Sequence, residues 1–101
     1  MKKILLVCSA GMSTSLIVSR TMEAVANQGK ENEMTFDAMP VAEAADAIRE
    51  AACVLVAPQV RFYMNELQET YPDQKFALIP PQVYGMCDGP AIIKLAETTI
   101  G

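Results

Sequence analysis

Cys8 stands where an apolar run, Ile4-Leu5-Leu6-Val7, gives way to seven residues rich in small side chains, Ser9, Ala10, Gly11, Met12, Ser13, Thr14 and Ser15, that lead into a helical pattern. A thiol at a strand-to-helix turn meets the unpaired backbone N–H groups and positive dipole end of the following helix. These stabilise a thiolate and equally a phosphate esterified to the sulfur. A phosphorylated cysteine needs a ring of N–H donors around its oxygens, and small residues let the backbone curl closely enough to supply them, with Gly11 as the hinge. Hydroxyls on Ser9, Ser13, Thr14 and Ser15 add donors or cap the helix. The chemistry this predicts is phosphoryl transfer through Cys8, with the backbone of Ser9 to Ser15 as a phosphate-binding P-loop. The bland alternative is a small hydrophobe buried at a strand end, and the loop composition and helix start weigh against it.

The other two cysteines read differently. Cys53 lies inside the apolar run Cys53-Val54-Leu55-Val56 and is expected in the core; Cys87 follows Tyr84-Gly85-Met86 and reads as a passive loop thiol before it reads as a redox partner for Cys8. Three cysteines without close spacing suggest neither a disulfide framework nor a metal site, and no cofactor is expected. The chain has no histidine, which excludes a self-contained Cys-His or Ser-His-Asp nucleophile and any phosphohistidine of its own. A net charge of −4 without clustered Lys and Arg argues against a nucleic-acid surface. Lys2 and Lys3 precede an apolar run far too short to span a membrane, so a cytoplasmic location is expected.

The elements that must hold Cys8 follow from periodicity. With 101 residues, 51% of them hydrophobic, one small domain is expected. Strands are predicted over 3–7, 34–39, 53–57 and 75–79, and helices over 13–28, 40–51, 60–71 and 90–99, with Gly29 stopping the first helix and Pro40 opening the second. Four βα units with short links imply an open parallel sheet covered by helices on both faces, with right-handed crossovers. Ligands of such sheets bind beyond the carboxyl ends of the strands. Cys8, Pro58-Gln59 and the segment Pro80 to Gly85 therefore share one rim.

The start from Ile4 to Ser15, the Ala57-Pro58-Gln59-Val60 turn and the Tyr84-Gly85-Met86-Cys87-Asp88-Gly89 stretch together resemble the enzyme IIB component of the sugar phosphotransferase system, in the lactose/cellobiose group that includes N,N′-diacetylchitobiose carriers. The resemblance spans nearly the whole of residues 1–101. It implies a four-stranded parallel sheet in the order 2-1-3-4 and a phosphocysteine at Cys8. It also implies a phosphohistidine donor on enzyme IIA and, as acceptor, a β-linked disaccharide of the cellobiose, chitobiose or lactose class held by the membrane component enzyme IIC. That is a protein-phosphocysteine–sugar phosphotransferase of the EC 2.7.1 class, peripheral to the inner face of the membrane through enzyme IIC.

The low-molecular-weight tyrosine phosphatases are similar in fold and offer a rival reading, with arsenate reductases beside them. Their pattern places Arg after Cys and five residues, and an acid on the loop after the fourth strand. Here Thr14 takes the arginine position, removing the fork that grips phosphoryl oxygens. Asp88 is the nearby acid and reads as a turn or helix-cap residue before Gly89-Pro90. Such a site holds phosphate without hydrolysing it quickly, as a carrier must; a non-catalytic anion-binding module is the third reading. A relay must expose its phosphate to two partners in turn, so the Cys8 thiol is expected not to be deeply enclosed and apolar residues are expected around it. Met12, Val83, Tyr84 and Met86 are the expected partner interface, with Arg61, Phe62 and Tyr63 as weaker candidates and Phe62 open to a core role. A monomer that docks transiently is expected.

Overall fold

In the computed structural model, which describes residues 1–9 and 14–101 with the side chain of Thr14 excepted, four strands form one parallel sheet in the order β2-β1-β3-β4. They are β1 (Lys2–Cys8), β2 (Met34–Pro40), β3 (Cys53–Val56) and β4 (Phe76–Leu78). Central strands of a sheet covered on both faces should be apolar throughout rather than alternating. Ile4 to Cys8 and Cys53 to Val56 are accordingly buried at every position. Register ties Val7 to Met39 on one side and to Val56 on the other, and Cys8 to Pro40.

The pleat sends alternate side chains to opposite layers. Ile4, Leu6, Cys53 and Leu55 pack under α1 (Thr14–Asn27) and the last helix, against Ile17, Val25, Ile92 and Ile93. Leu5, Val7, Val54 and Val56 pack on the other face with Ile48 of α2 (Ala45–Glu50) and Leu67 of α3 (Met64–Thr70). After β4 the chain forms a short α4 (Pro81–Gly85) and then α5 (Gly89–Ile100).

Three local expectations are corrected. Residues 40–51 do not form one helix. Pro40 stays extended as the end of β2, Val41–Glu43 make a 3-10 turn, and α2 starts after Ala44, which has no side-chain oxygen to cap it. The helix expected from Val60 begins instead as a 3-10 stretch, Pro58–Tyr63, in which Val60 leaves helical geometry (φ −117, ψ 22) to bury its side chain. Pro80 to Gly85 is not only loop, because Pro81 occupies the first helical turn of α4, where its missing N–H costs nothing. On α1, Leu16 and Ala26 face solvent and Thr21 is buried, its hydroxyl donating to the Ile17 carbonyl at 2.7 Å.

Candidate functional site at the carboxyl end of the sheet

β1 delivers Cys8 to the carboxyl edge as its last residue. Contrary to the expectation of an open thiol, the side chain is 3% exposed and packs with the layer that contains Val7, Ala44 and Val60, with Sγ 3.5 Å from the carbonyl oxygen of Met39. Half-buried Ser9 follows. The rest of the predicted cradle, Ala10, Gly11, Met12 and Ser13, lies outside the described residues, as does the Thr14 side chain; Ser15 is exposed on the first turn of α1.

A cleft of about 210 Å³ opens beside Cys8 and Ser9, walled by Pro40, Val41 and Ala42 after β2 and by Val60, Phe62 and Tyr63 after β3. The chain after β3 is held there by the Ala57 N–H donating to the Val7 carbonyl at 3.0 Å and the Arg61 guanidinium donating to the Pro58 carbonyl at 2.9 Å. Burying Val60 in this tight 3-10 path turns the next two side chains outward. Phe62 is 70% exposed and its ring lies 4.6 Å from that of Tyr63. The core role open to Phe62 from the sequence is therefore excluded. The clue was three bulky residues in succession, Arg61-Phe62-Tyr63, which no single helical face can bury.

After β4 come α4 and the turn that leads into α5. Met86, expected beside Cys8, is 75% exposed in a groove with Arg20, Glu23, Ala24 and Asn27 of α1 and does not line the Cys8 cleft, and Leu16, at the start of α1, is 51% exposed. Val83 and Tyr84 are half-buried against the core. Tyr84 packs on both layers at once, including the one that holds Cys8. Burial pushes the Tyr84 hydroxyl above the usual tyrosine range, and negative charge on the Cys8 and Cys87 sulfurs pushes it the same way. This side chain therefore remains a neutral O–H donor within electrostatic reach of Cys8.

The remaining residues settle into structural roles. Asp88 caps α5, its carboxylate accepting the Ala91 N–H at 3.2 Å. Cys53 is fully buried, and desolvation pushes its thiol up to about 11, with Lys75 opposing. Glu31, Glu33, Asp37, Glu43, Asp46, Glu50, Glu66, Glu69 and Asp73 are all exposed. Among the described residues, no three His, Cys, Asp or Glu side chains gather as a metal-binding group, and no helix is long and apolar enough to cross a membrane. Cys8 at the end of β1, an apolar cleft beside it and the neutral Tyr84 phenol within electrostatic reach make up the candidate site.

Comparison with known proteins identifies the family. Residues 3–95 match the family described as "PTS system, Lactose/Cellobiose specific IIB subunit". The chain is 42% identical over 92 residues to the oligo-beta-mannoside-specific EIIB component of Bacillus subtilis (strain 168), covering 88% of this chain and 86% of that one. It is 33% identical over 104 residues to the cellobiose-specific EIIB component of Lactococcus lactis subsp. lactis (strain IL1403), covering 95% and 94%. The solution structure of a cellobiose-specific phosphotransferase IIB component from Borrelia burgdorferi superposes with a TM-score of 0.79 at 30% identity, over 98% of this chain and 91% of that one. The lactose-specific IIB domain of Streptococcus pneumoniae shares the fold, with a TM-score of 0.81 at 15% identity, over 95% of each chain. With the fold shared and residues 3–95 matched, the chain belongs to the lactose/cellobiose-specific IIB subunit family of the PTS system.

Proposed function

We propose that this component of the sugar phosphotransferase system carries its phosphoryl group on Cys8, taking it from a phosphohistidine of an enzyme IIA partner and giving it to a sugar held by the membrane component enzyme IIC. In the first step the Cys8 thiolate attacks phosphorus, the S–P bond forms and the N–P bond breaks, with the imidazole as leaving group. In the second step a sugar hydroxyl attacks, the S–P bond breaks, sulfur leaves as thiolate and the hydroxyl proton passes to base. Both transfers need donor, phosphorus and acceptor in line, so the contribution of this domain is positioning and electrostatic stabilisation. Relatives named for oligo-beta-mannosides and cellobiose support a β-linked disaccharide or oligosaccharide as the acceptor. The phosphate cradle is the backbone of residues 9–15, and the location is cytoplasmic, at the membrane through enzyme IIC.

The observation that carries this reading is the position of Cys8, last residue of a central strand and bordering a cleft edged by exposed aromatics, in a chain of this family. A hydrolase reading loses support from Asp88, whose carboxylate is engaged in capping α5. The test is intact mass and site mapping after incubation with phosphoenolpyruvate, the general phosphotransferase proteins and a set of enzyme IIA candidates, without acid work-up. One phosphate on Cys8 that depends on a matching enzyme IIA, and is absent in Cys8→Ser, is the expected result. Rapid Cys8-dependent hydrolysis of an aryl phosphate with no labelling by any IIA would replace it with a phosphatase.

A further inference from the structure

The Tyr84 ring is fixed from both sides. It packs against the layer under α1 and α5 and against the layer that includes Cys8, so it spans the end of the sheet where those layers meet. Its backbone is equally tied, the N–H donating to the Pro80 carbonyl at 3.0 Å and the carbonyl accepting the Cys87 N–H at 3.1 Å. Among the described residues its hydroxyl makes no hydrogen bond. A half-buried phenol held this firmly, with its proton retained and its donor capacity unused by the fold, is arranged to meet something that arrives at the rim.

We infer that Tyr84 is a phosphoryl-holding residue, its hydroxyl donating a hydrogen bond to a non-bridging oxygen of the phosphoryl group on Cys8. The inference rests on the phosphocysteine reading above and adds to it a role distinct from partner docking. Burial raises this hydroxyl above the usual tyrosine range, and negative charge at Cys8, as a phosphoryl group there would supply, acts in the same direction, so the phenol stays protonated through the carrier cycle. A neutral phenol is a strong donor and a poor acid. It can hold the group in place without surrendering the proton that would help expel a leaving group, unlike the carboxylic acid that related phosphatases carry after the fourth strand. The bond would favour the phosphate dianion over the monoanion and restrict rotation about the S–P bond, presenting phosphorus in one orientation to either partner.

The test compares wild type with Tyr84→Phe, which keeps the ring and its packing. Each protein is phosphorylated enzymatically and the phosphocysteine is followed by 31P NMR across pH. The second ionisation of the phosphate should move up by about half a unit, a roughly three-fold change in the equilibrium, when the donor is removed. A purely structural tyrosine would leave this ionisation unmoved, so identical titrations overturn the inference. Labelled wild type supplies a readout without any variant: the Tyr84 ring carbon that bears oxygen should shift on phosphorylation, and an unchanged resonance also overturns it. If wild type is phosphorylated on Cys8 and either readout fails, this inference alone falls. If wild type takes no phosphate on Cys8, the carrier reading falls and takes this one with it.

Discussion

The Asp88 N–H donates to the Val83 carbonyl at 3.1 Å, closing α4 with a bond that reaches back over five residues. Paired with the Cys87 N–H to the Tyr84 carbonyl, also 3.1 Å, it makes the double-bonded helix end that requires a left-handed residue between the two donors' chain directions. Cys87 fills that position at φ 51. The end of α1 repeats the arrangement, with Gly29 N–H to Ala26 and Lys30 N–H to Val25, but there a glycine sits at φ 68.

The two ends therefore pose the same backbone problem, and only one has the residue that meets it without steric cost. Cys87→Gly should stabilise the domain by about 0.5–1 kcal/mol, because left-handed geometry costs a residue with Cβ roughly 1–2 kcal/mol and glycine's added freedom in the unfolded chain returns part of it. Urea unfolding reads the change as a higher midpoint at constant slope. A lower midpoint would show that Cys87 contributes more through packing against the core than its backbone conformation costs.

Gly89 makes the opposite case at the start of α5. A Cβ there would sit 2.7 Å from the Arg20 carbonyl oxygen and 3.0 Å from the Ala24 Cβ. Both belong to α1, and the first is backbone, so the helices must separate. Gly89→Ala should destabilise by about 1–3 kcal/mol, the usual cost of overpacking, despite the better helix propensity of alanine. For a domain of this size that lowers Tm by roughly 4–8 °C per kcal/mol. An unchanged Tm would mean that α1 and α5 part without cost.

Much of the fold is legible in the sequence because its central strands are short apolar runs closed by Gly, Pro and small residues, and such runs can be buried only in a parallel sheet with helices on both sides. Local context is enough to put Cys53 in the core and Asp88 at the cap of α5; it puts Cys8 at the end of β1 but not its side chain, which is buried where an open thiol is expected. The irregular parts were not legible for a physical reason. Pro40, Val60 and Pro81 each satisfy two local rules, and tertiary packing chose between them: Pro40 completes β2 opposite Cys8, Val60 turns inward, and Pro81 opens a helix. The exposed Phe62 and Tyr63 follow from that choice at Val60.

Cys53 gives the domain a stability term at high pH. Its folded thiol is raised from 9.0 to about 11 by burial. Between these values the unfolded chain has lost the proton and the folded chain keeps it, so the folded state binds more protons and stability falls as pH rises. The contribution is complete below pH 9 and lost by about pH 11, at roughly 2–3 kcal/mol for two units. Unfolding free energies of wild type and Cys53→Ala should therefore converge across that window, whatever the other tyrosines and lysines contribute to both. Parallel curves would show that the thiol ionises as readily in the folded protein as in the unfolded one.

Phe62 tests whether the cleft beside Cys8 is a docking face. Its ring is 70% exposed, so truncation removes little buried area, and Phe62→Ala should change stability by no more than about 0.5 kcal/mol. Against a partner the same ring, packed on Tyr63 and lining the cleft with Cys8, would be desolvated near the centre of the contact, where an aromatic side chain is commonly worth about 2 kcal/mol or roughly 30-fold in affinity. Because Phe62 lines the cleft that Cys8 borders and is apolar, the loss should appear as a higher KM for the phosphorylated enzyme IIA with kcat nearly constant if the carrier reading holds. Equal falls in kcat and kcat/KM would move Phe62 from docking to the transfer step itself. An unchanged KM with both partners would leave the exposed aromatics outside the interface.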